Sequence, residues 1–561
     1  MWYVSRSWRA ALIGAIVAAV ATLPGLGAGT LWDNSETTYG EVAREVLFYH
    51  DPVVMHLDGA PWFVQPPLYF WIAAAFANVL GTSEFALRLP SALATIVMSA
   101  LVGYVVNRLA GPRAAVLAAT VLATSLMQAV IGRLAIMDAL LDLAVTAAIL
   151  ALFGALRTGR LWWWYLAWAA LGLGTLAKGP VAPAVTLLVV VPWFLWERAA
   201  GGRLVLPAWP HRLGGPLLFC ALIAPWSIAL WRAVGPAAFG MLVGHYTVGR
   251  YLGTIENQSG PVWYYIPVVV LGFFPWFAFL IPAALAGGRD ARGAAGSLAR
   301  LSLAWAAVPF VFFSFAQTKL PNYVALELPA FAILVGIWFD RAVEREDRRA
   351  AMLWAAVVPV TLGAVAFAIS VFSAHNRLMP GLQAVSGGLL ALGAVLFAGS
   401  IGCLLLLASR RSARLAPCVL AAASAAALVT LALNESRVEA FKPIPRLAAI
   451  VRRDLRPGDA IAIQDVSGTN ALVFYTRPVV VSLDPPGAGD DGAPASLRHF
   501  VCSAPRAFVV GSERYVRGDP TYGRNRRTLA SENGDVLFLY DGPPCLERAS
   551  ARSPATRAGA G

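Results

Sequence analysis

Five places along the chain bring together residues able to handle protons or hold anions. In LWDNSETTYGEVAREVLFYHDP, Asp33, Glu36 and Glu41 gather near the start of a segment whose Tyr39, Val42, Ala43, Val46 and Leu47 recur at helical spacing. Thr38 and Glu41 have the spacing of a capping box. The segment reads as an amphipathic helix lying in a membrane interface, with Glu41 and Glu45 solvated at its dipole-favoured start. Asp33 and Glu36 are its candidate proton acceptors. In GRLAIMDALLDLAVTAA, Asp138 and Asp142 are four residues apart and share one helix face. An acid in so apolar a helix faces a cavity or a partner, and Arg133 is one candidate partner of Asp138 beside a role in a site. LAKGPVAP sets Lys178 before a Gly-Pro turn, where it is either a snorkelling lysine or a cation offered to an anionic headgroup. GHYTVGRYLG carries His245 and Arg250. AQTKLPNYVALELP carries Lys319, then Tyr323, then Glu327 roughly 12 Å deeper at about 1.5 Å per residue. Cations hold phosphate and a carboxylate takes a proton from an acceptor. Such a set suits chemistry on a lipid-linked anion, although a structural ion pair at Asp138 stays open.

These residues must be positioned by membrane helices. Of 561 residues, 58% are hydrophobic and only 13% charged, where a soluble chain has about 25% charged residues. Mean hydropathy is +0.65. Thirteen apolar stretches are long enough to span: about 10–28, 86–106, 114–131, 135–155, 161–177, 180–196, 214–232, 262–286, 301–317, 322–339, 351–373, 382–408 and 415–433. The first is read as a span in preference to a cleaved leader. With the N-terminus inside, every inside connection is basic, from Arg6 and Arg9 through Arg341–Arg349 to Arg410, Arg411 and Arg414. The net charge of +13 thus reflects topology and anionic lipid, and nucleic acid is not expected as a partner. All five chemistry-bearing places then fall at the outer face, two of them in long outer loops, about 29–85 and 233–261. The first loop also contains DGAPWFVQPPLYFW, whose Pro-Pro pair is expected to block a helix start and whose aromatics suit the interface.

Past residue 434 the composition changes. A helix-like RLAAIVRRDL precedes the β-type runs AIAIQDV, ALVFYT, PVVVSL, RAFVVG and DVLFLY, which predicts a small outer α/β domain over 435–545 and a disordered tail over 546–561. Cys502 and Cys545 would meet an oxidising compartment there, and are either two separate thiols or a bridge. No P-loop, GxGxxG, HExxH or GxSxG occurs in the required context, which disfavours nucleotide-driven chemistry. No cofactor is demanded, and the acids have no spacing that dictates a divalent metal.

The chain resembles the polyprenyl-phosphate-dependent glycosyltransferases of the GT-C fold, nearest the bacterial lipid A 4-amino-4-deoxy-L-arabinose transferases and the wider protein-mannosyltransferase-like group. The likeness runs through Leu31-Trp32, Ser35-Glu36-Thr37, Tyr39 and Glu41-Val42-Ala43-Arg44-Glu45, then W-F-x-Q-P-P with Gln65, Asp138, L-A-K-G, G-R-Y, P-V-W-Y-Y-I-P-V-V-V-x-G-F-F-P-W and K-L-P-N-Y. It covers about 30 to 330 in matching order, as a transmembrane transferase domain over 1–434. The resemblance implies inverting transfer from an undecaprenyl-phosphate sugar to lipid A or another lipid or glycan acceptor. It implies a multi-pass bacterial inner-membrane protein with a cytoplasmic N-terminus and a periplasmic C-terminal domain. Glu36, Asp33 and Asp138 would be catalytic. Lys178, Arg250 and Lys319 would hold the donor phosphate. Tyr39, Gln65, Asp142, His245, Tyr323 and Glu327 would line the substrates. The family's acid at position 35 is here a serine, its arginine at 38 a threonine, and its Glu-Lys pair Val64-Gln65. Two other readings stand beside this one: a transporter or flippase of a lipid-linked sugar that uses Asp142 and Glu327, and a lipid-binding relative without activity.

Overall fold

The computed structural model describes residues 2–541 except 34, 256–257, 290–292, 343–351, 372–379, scattered positions between 354 and 370, 410–412, 467, 478–479, 484–496, 503 and 514–525. The chain forms two compact units. One comprises 1–29, 46–55 and 61–437; the other comprises 30–45, 56–60 and 438–561.

The larger unit is helical. Among the described residues, eight helices are long and apolar enough to cross a membrane, or nine if the pair Val262–Gly272 and Trp276–Gly288, bent by 110°, is one span. In order come α1 (Trp2–Thr22), α2 (Glu36–Tyr49, shared with the other unit), α3 (Leu68–Leu80), α4 (Glu84–Ala110), α5 (Pro112–Thr124), α6 (Leu126–Ile131), α7 (Asp138–Thr158), α8 (Leu161–Lys178), α9 (Val181–Ala199) and α10 (Trp209–Val234). Later spans include Gly293–Ser314, Pro321–Ala342, Ser386–Ala408 and Ala413–Leu433. The expected span at 114–131 is broken at Ser125, whose hydroxyl donates to the Leu122 carbonyl. The expected span at 351–373 is described only in part.

Helices approach closely where glycine leaves room. A Cβ at Gly336 would sit 2.6 Å from the backbone nitrogen of Ala118 on α5, and one at Gly103 2.8 Å from the carbonyl of Ala10 on α1. Buried Trp193, Trp276 and Trp305 are among the largest side chains of the core. Two charged nodes brace the bundle. Buried Glu197 on α9 is held at 2.9 Å by Arg157 of α7 and at 2.7 Å by Arg300. Glu435 takes Arg88 at 3.3 Å and Arg133 at 3.1 Å.

One expectation for the loops is corrected. Pro66-Pro67 does not block a helix: α3 starts at Leu68 with Pro67 as its cap residue, because a helix start has amide hydrogens with no partner to lose. The long loop 233–261 has regular structure of its own. It holds a ten-residue π-helix, Gly240–Gly249, continued by a turn at Arg250–Leu252.

The second unit carries a five-stranded sheet. After the two-residue strands β1 (His56–Leu57) and β2 (Ala60–Pro61) come β3 (Ala460–Gln464), β4 (Val480–Ser482), β5 (Arg506–Ser512), β6 (Arg526–Glu532) and β7 (Asp535–Asp541). The sheet order is β4-β3-β5-β7-β6. β3 runs parallel to β4 and β5, with Ile461 opposite Val480 and Phe508. β7 is antiparallel to β5 and β6, with Phe508 opposite Leu539. Helix Pro443–Asp454 buries Ile444, Leu447, Ala448 and Val451 against this sheet. ALVFYT, expected as a strand, lies in the helix Thr469–Thr476. A short apolar run has the same pattern in a buried strand and a buried helix, and here it forms part of an eight-residue helix. The thiol of Cys502 and all of Cys545 lie outside the described residues, as does the expected tail.

Candidate functional site

A cavity of about 670 Å³ opens within the larger unit. Its walls are largely apolar, from Leu141, Val181, Ile223, Trp226, Leu242 and Phe313 among others, with a minority of polar groups: Gln65, Asp138, Asp142, Lys178, Arg250, Asn322 and Tyr323 chief among them. An apolar chamber with a few convergent polar groups is the usual form of a small-ligand site.

Each polar group has a local cause. Asp138 is the first residue of α7, where a carboxylate is favoured by the helix dipole. Lys178 is the last residue of α8. Gly179, at φ +66°, then turns the chain, and Pro180 caps α9. Only a residue without Cβ adopts that φ at little cost, so the turn fixes Lys178 at the helix end. The Lys178 ammonium donates to Asp138 Oδ1 at 2.6 Å, and the Asn322 amide donates to the same oxygen at 2.6 Å. Three elements therefore converge on one carboxylate. Lys178 Nζ also lies 6.0 Å from the centre of the Tyr323 ring.

Arg250 is placed by backbone bonds across the sequence. Its carbonyl accepts from Thr318 N–H at 3.1 Å and that of Tyr251 from Gln317 N–H at 3.0 Å, while Thr318 Oγ1 donates to the Gly253 carbonyl. Tyr251 stacks on Phe312 at 4.6 Å. The Arg250 guanidinium lies 5.6 Å from the Tyr246 ring centre. Asp142, one turn below Asp138, is 2% exposed, and its Oδ2 has no hydrogen-bond partner among the described residues.

Of the residues singled out in the sequence, the cavity gathers Gln65, Asp138, Asp142, Lys178, Arg250 and Tyr323. Lys319, His245 and Glu327 belong to the same unit but have other surroundings. Lys319 donates to the Ser314 and Ala316 carbonyls at 2.8 and 2.7 Å, closing the end of the preceding helix. His245 is exposed on the π-helix and meets Tyr246 edge-on. Glu327 is fully buried, and neither carboxyl oxygen has a hydrogen-bond partner among the described residues. The candidate Arg133–Asp138 pair is corrected: Arg133 donates to the Thr22, Pro24 and Gly25 carbonyls and to Glu435. Four acceptors gathered at the end of α1 and at Glu435 outweigh one carboxylate. Sequence reasoning misses Asn322, although a polar residue directly after Pro321 at a span's start is a signal of its kind.

Asp33, Glu36 and Tyr39 belong to the second unit. α2 begins at Glu36, so Thr38 is inside the helix and does not cap it; its hydroxyl accepts from Asn470 at 2.6 Å. Glu36 is buried and accepts from Trp32 N–H at 2.9 Å. Asp33 Oδ1 accepts from Ala471 N–H at 3.0 Å. Tyr39 is half-buried, its N–H bonded to the Ser35 carbonyl. Glu41 and Glu45 are not solvated: both are buried, Glu41 paired with Arg44 and Glu45 accepting from Gly59 N–H. Burial pushes the Glu41 carboxyl up to about 7, with the charge of Arg44 opposing it and that of Glu45 adding to it. Among the described residues no three His, Cys, Asp or Glu side chains are placed to hold a metal ion.

Comparison with known proteins bears on the family and the fold. The family model of dolichyl-phosphate-mannose-protein mannosyltransferases matches residues 64–229, a stretch that holds Gln65, Asp138, Asp142 and Lys178. The undecaprenyl phosphate-alpha-4-amino-4-deoxy-L-arabinose arabinosyl transferase of Aeromonas salmonicida is 31% identical over 381 residues, which are 66% of this chain and 67% of that protein. Its namesake from Edwardsiella ictaluri is 31% identical over 330 residues, and there the chain spans just 55% of the relative's length. The crystal structure of ArnT from Cupriavidus metallidurans bound to undecaprenyl phosphate superposes with a TM-score of 0.80 over 95% of this chain and 98% of that one, at 22% identity, which is a likeness of fold. With that fold, and 31% identity across two thirds of a relative's length, the chain belongs to the polyprenyl-phosphate-dependent glycosyltransferases of the GT-C fold.

Proposed function

We propose that the protein transfers a sugar, with inversion, from an undecaprenyl-phosphate carrier to lipid A or another lipid or glycan acceptor at the periplasmic face of the bacterial inner membrane. The observation that carries this reading is the Lys178–Asp138–Asn322 cluster, with Arg250, in the polar lining of an otherwise apolar cavity of about 670 Å³. Apolar walls accept a prenyl chain, and the cations receive its phosphate. Lys178 and Arg250 hold the phosphate, and Asp138 keeps the ammonium in place. In one displacement an acceptor oxygen attacks the anomeric carbon, the bond from that carbon to the phosphate oxygen breaks, and undecaprenyl phosphate leaves. The acceptor's proton passes to a carboxylate, for which Glu36 and Asp138 are the candidates. Gln65, Asp142 and Tyr323 complete the lining.

The plan that goes with this has thirteen spans, a transferase domain over 1–434 and a periplasmic α/β domain over 435–545. It places the N-terminus in the cytoplasm and is supported by the basic inside connections. A C-terminal reporter active only in the cytoplasm would overturn this orientation. For the activity, mass spectrometry of envelope lipids and glycans with and without the protein is the test. A sugar that is added only when the protein is present supports transfer. A lipid-linked sugar moved across the bilayer with no new product rejects it.

A further inference from the structure

The start of α2 is held by the C-terminal part of its own unit at every position from 30 to 33. Thr30 donates its N–H and hydroxyl to Glu439 at 2.9 and 2.6 Å, and its carbonyl accepts from Lys442 at 2.8 Å. Leu31 N–H donates to the Tyr475 hydroxyl at 2.7 Å. The Lys442 ammonium lies 4.0 Å from the centre of the Trp32 ring. Asp33 Oδ1 accepts from the N–H of Ala471 in the first turn of Thr469–Thr476, and from the Thr37 hydroxyl at 3.2 Å. Five residues on, Asn470 donates to Thr38. A carboxylate at a helix N-terminus satisfies an amide that the helix itself leaves open and meets the positive end of its dipole. The partner surface is cut to fit: Gly468, at φ +135°, has no Cβ where one would stand 2.6 Å from Ile444 and 3.3 Å from Asp33 Oδ2.

We propose that Asp33 is a positioning residue for the transfer reaction, anchoring the first outer loop to helix Thr469–Thr476 and so fixing where α2 presents Glu36; this rests on the transferase reading above. The role calls for an oxygen that accepts a hydrogen bond and does not call for one that takes a proton. An asparagine at 33 keeps the acceptor; an alanine does not.

The experiment uses the full chain in lipid nanodiscs, with an undecaprenyl-phosphate-linked sugar and lipid A, and compares Asp33→Asn with Asp33→Ala. The Asn variant is expected to keep kcat within about threefold, while the Ala variant loses about tenfold or more in kcat with the donor KM unchanged. Hydrogen exchange over 30–49 is expected to stay at the wild-type level in Asp33→Asn and to rise in Asp33→Ala. An Asn variant as inactive as the Ala one, with wild-type exchange, overturns the proposal in favour of a proton-handling acid. An Ala variant with wild-type turnover and exchange also overturns it. If Asp33→Ala fails to fold, Asn470→Ala combined with Tyr475→Phe removes two ties and touches no acid; a fall in kcat supports the anchor, and unchanged kcat and exchange reject it. A wild type that transfers nothing defeats the functional reading, and the exchange comparison still decides the anchor.

Discussion

Two regions of this molecule concentrate carboxylates, and they treat them differently. In the cavity, Asp138 is met by two side chains, an ammonium and an amide, on elements that also wall an open space. In the first loop, Asp33, Glu36 and Glu45 each accept from a backbone N–H, of Ala471, Trp32 and Gly59 respectively. A backbone amide can be satisfied by almost any acceptor, so an acid used there chiefly fixes the path of the chain. A carboxylate that orients a lysine beside a cavity has a partner with chemistry of its own. The nature of the donor, more than the number of hydrogen bonds, is what differs between the two regions.

That contrast is broken or sharpened most directly at Asp138. Asp138→Asn is expected to lower transfer by roughly 10²- to 10⁴-fold while the protein still runs as a folded species in size-exclusion chromatography. Normal turnover would reduce the residue to a structural ion pair. At Glu36 the expected loss is smaller, about a hundredfold for Glu36→Gln in acceptor-dependent transfer with donor binding retained, measured in single turnovers; full activity there leaves Asp138 as the acid of the reaction. Lys178→Ala and Arg250→Ala are each expected to weaken donor binding about ten- to a hundredfold, since a charge-assisted hydrogen bond is worth roughly 1.5–3 kcal/mol. Titrating undecaprenyl phosphate into each variant gives the answer, and unchanged affinity in both contradicts the phosphate role.

The smallest effect concerns Glu41, a buried acid of the first loop paired with Arg44. Its folded carboxyl titrates at about 7 against 4.5 for an ordinary glutamate. Between those values the native state keeps a proton that the unfolded chain has released, so stability falls as pH rises from about 4.5 to about 7 and then levels off. Glu41→Gln is expected to flatten that slope, with a change of a few degrees in the unfolding midpoint at pH 8 and little at pH 4. An unaltered slope would place the titration elsewhere, with the half-buried Asp58, also raised by burial, as the next group to replace.

Much of the cavity was legible because its residues sit where sequence punctuation is strong. Lys178 precedes Gly-Pro, Tyr323 follows Lys-Leu-Pro-Asn, and Asp138 is an acid in an apolar run. The parts that were not legible depended on distant stretches of the chain. Arg133 is closer in sequence to Asp138 than Lys178 is, yet it is taken by carbonyls at the end of α1 and by Glu435. Glu41 and Glu45 look like a solvated helix face until the residues that bury them are known. Thr469–Thr476 has the composition of a strand, and becomes a helix where Asp33, 438 residues earlier, accepts from Ala471 N–H. Local pattern reports propensity, and a side chain arriving from elsewhere can override it.

The π-helix at Gly240–Gly249 makes the placement of Arg250 a matter of residue counting. Each π turn holds one more residue than an α turn closes over, so the segment is in effect a stored insertion. Losing a single residue inside it, with the winding unchanged, would rotate the residues downstream by one residue's turn, about 100° in α geometry and less in π. Gly244 is the natural position for such a deletion, since even an added Cβ there meets nothing within 4 Å. Tyr246, Thr247 and Arg250 would then turn off the cavity wall together, though no residue had changed its identity. For this protein a length change in that stretch displaces several lining residues at once, where a substitution changes one.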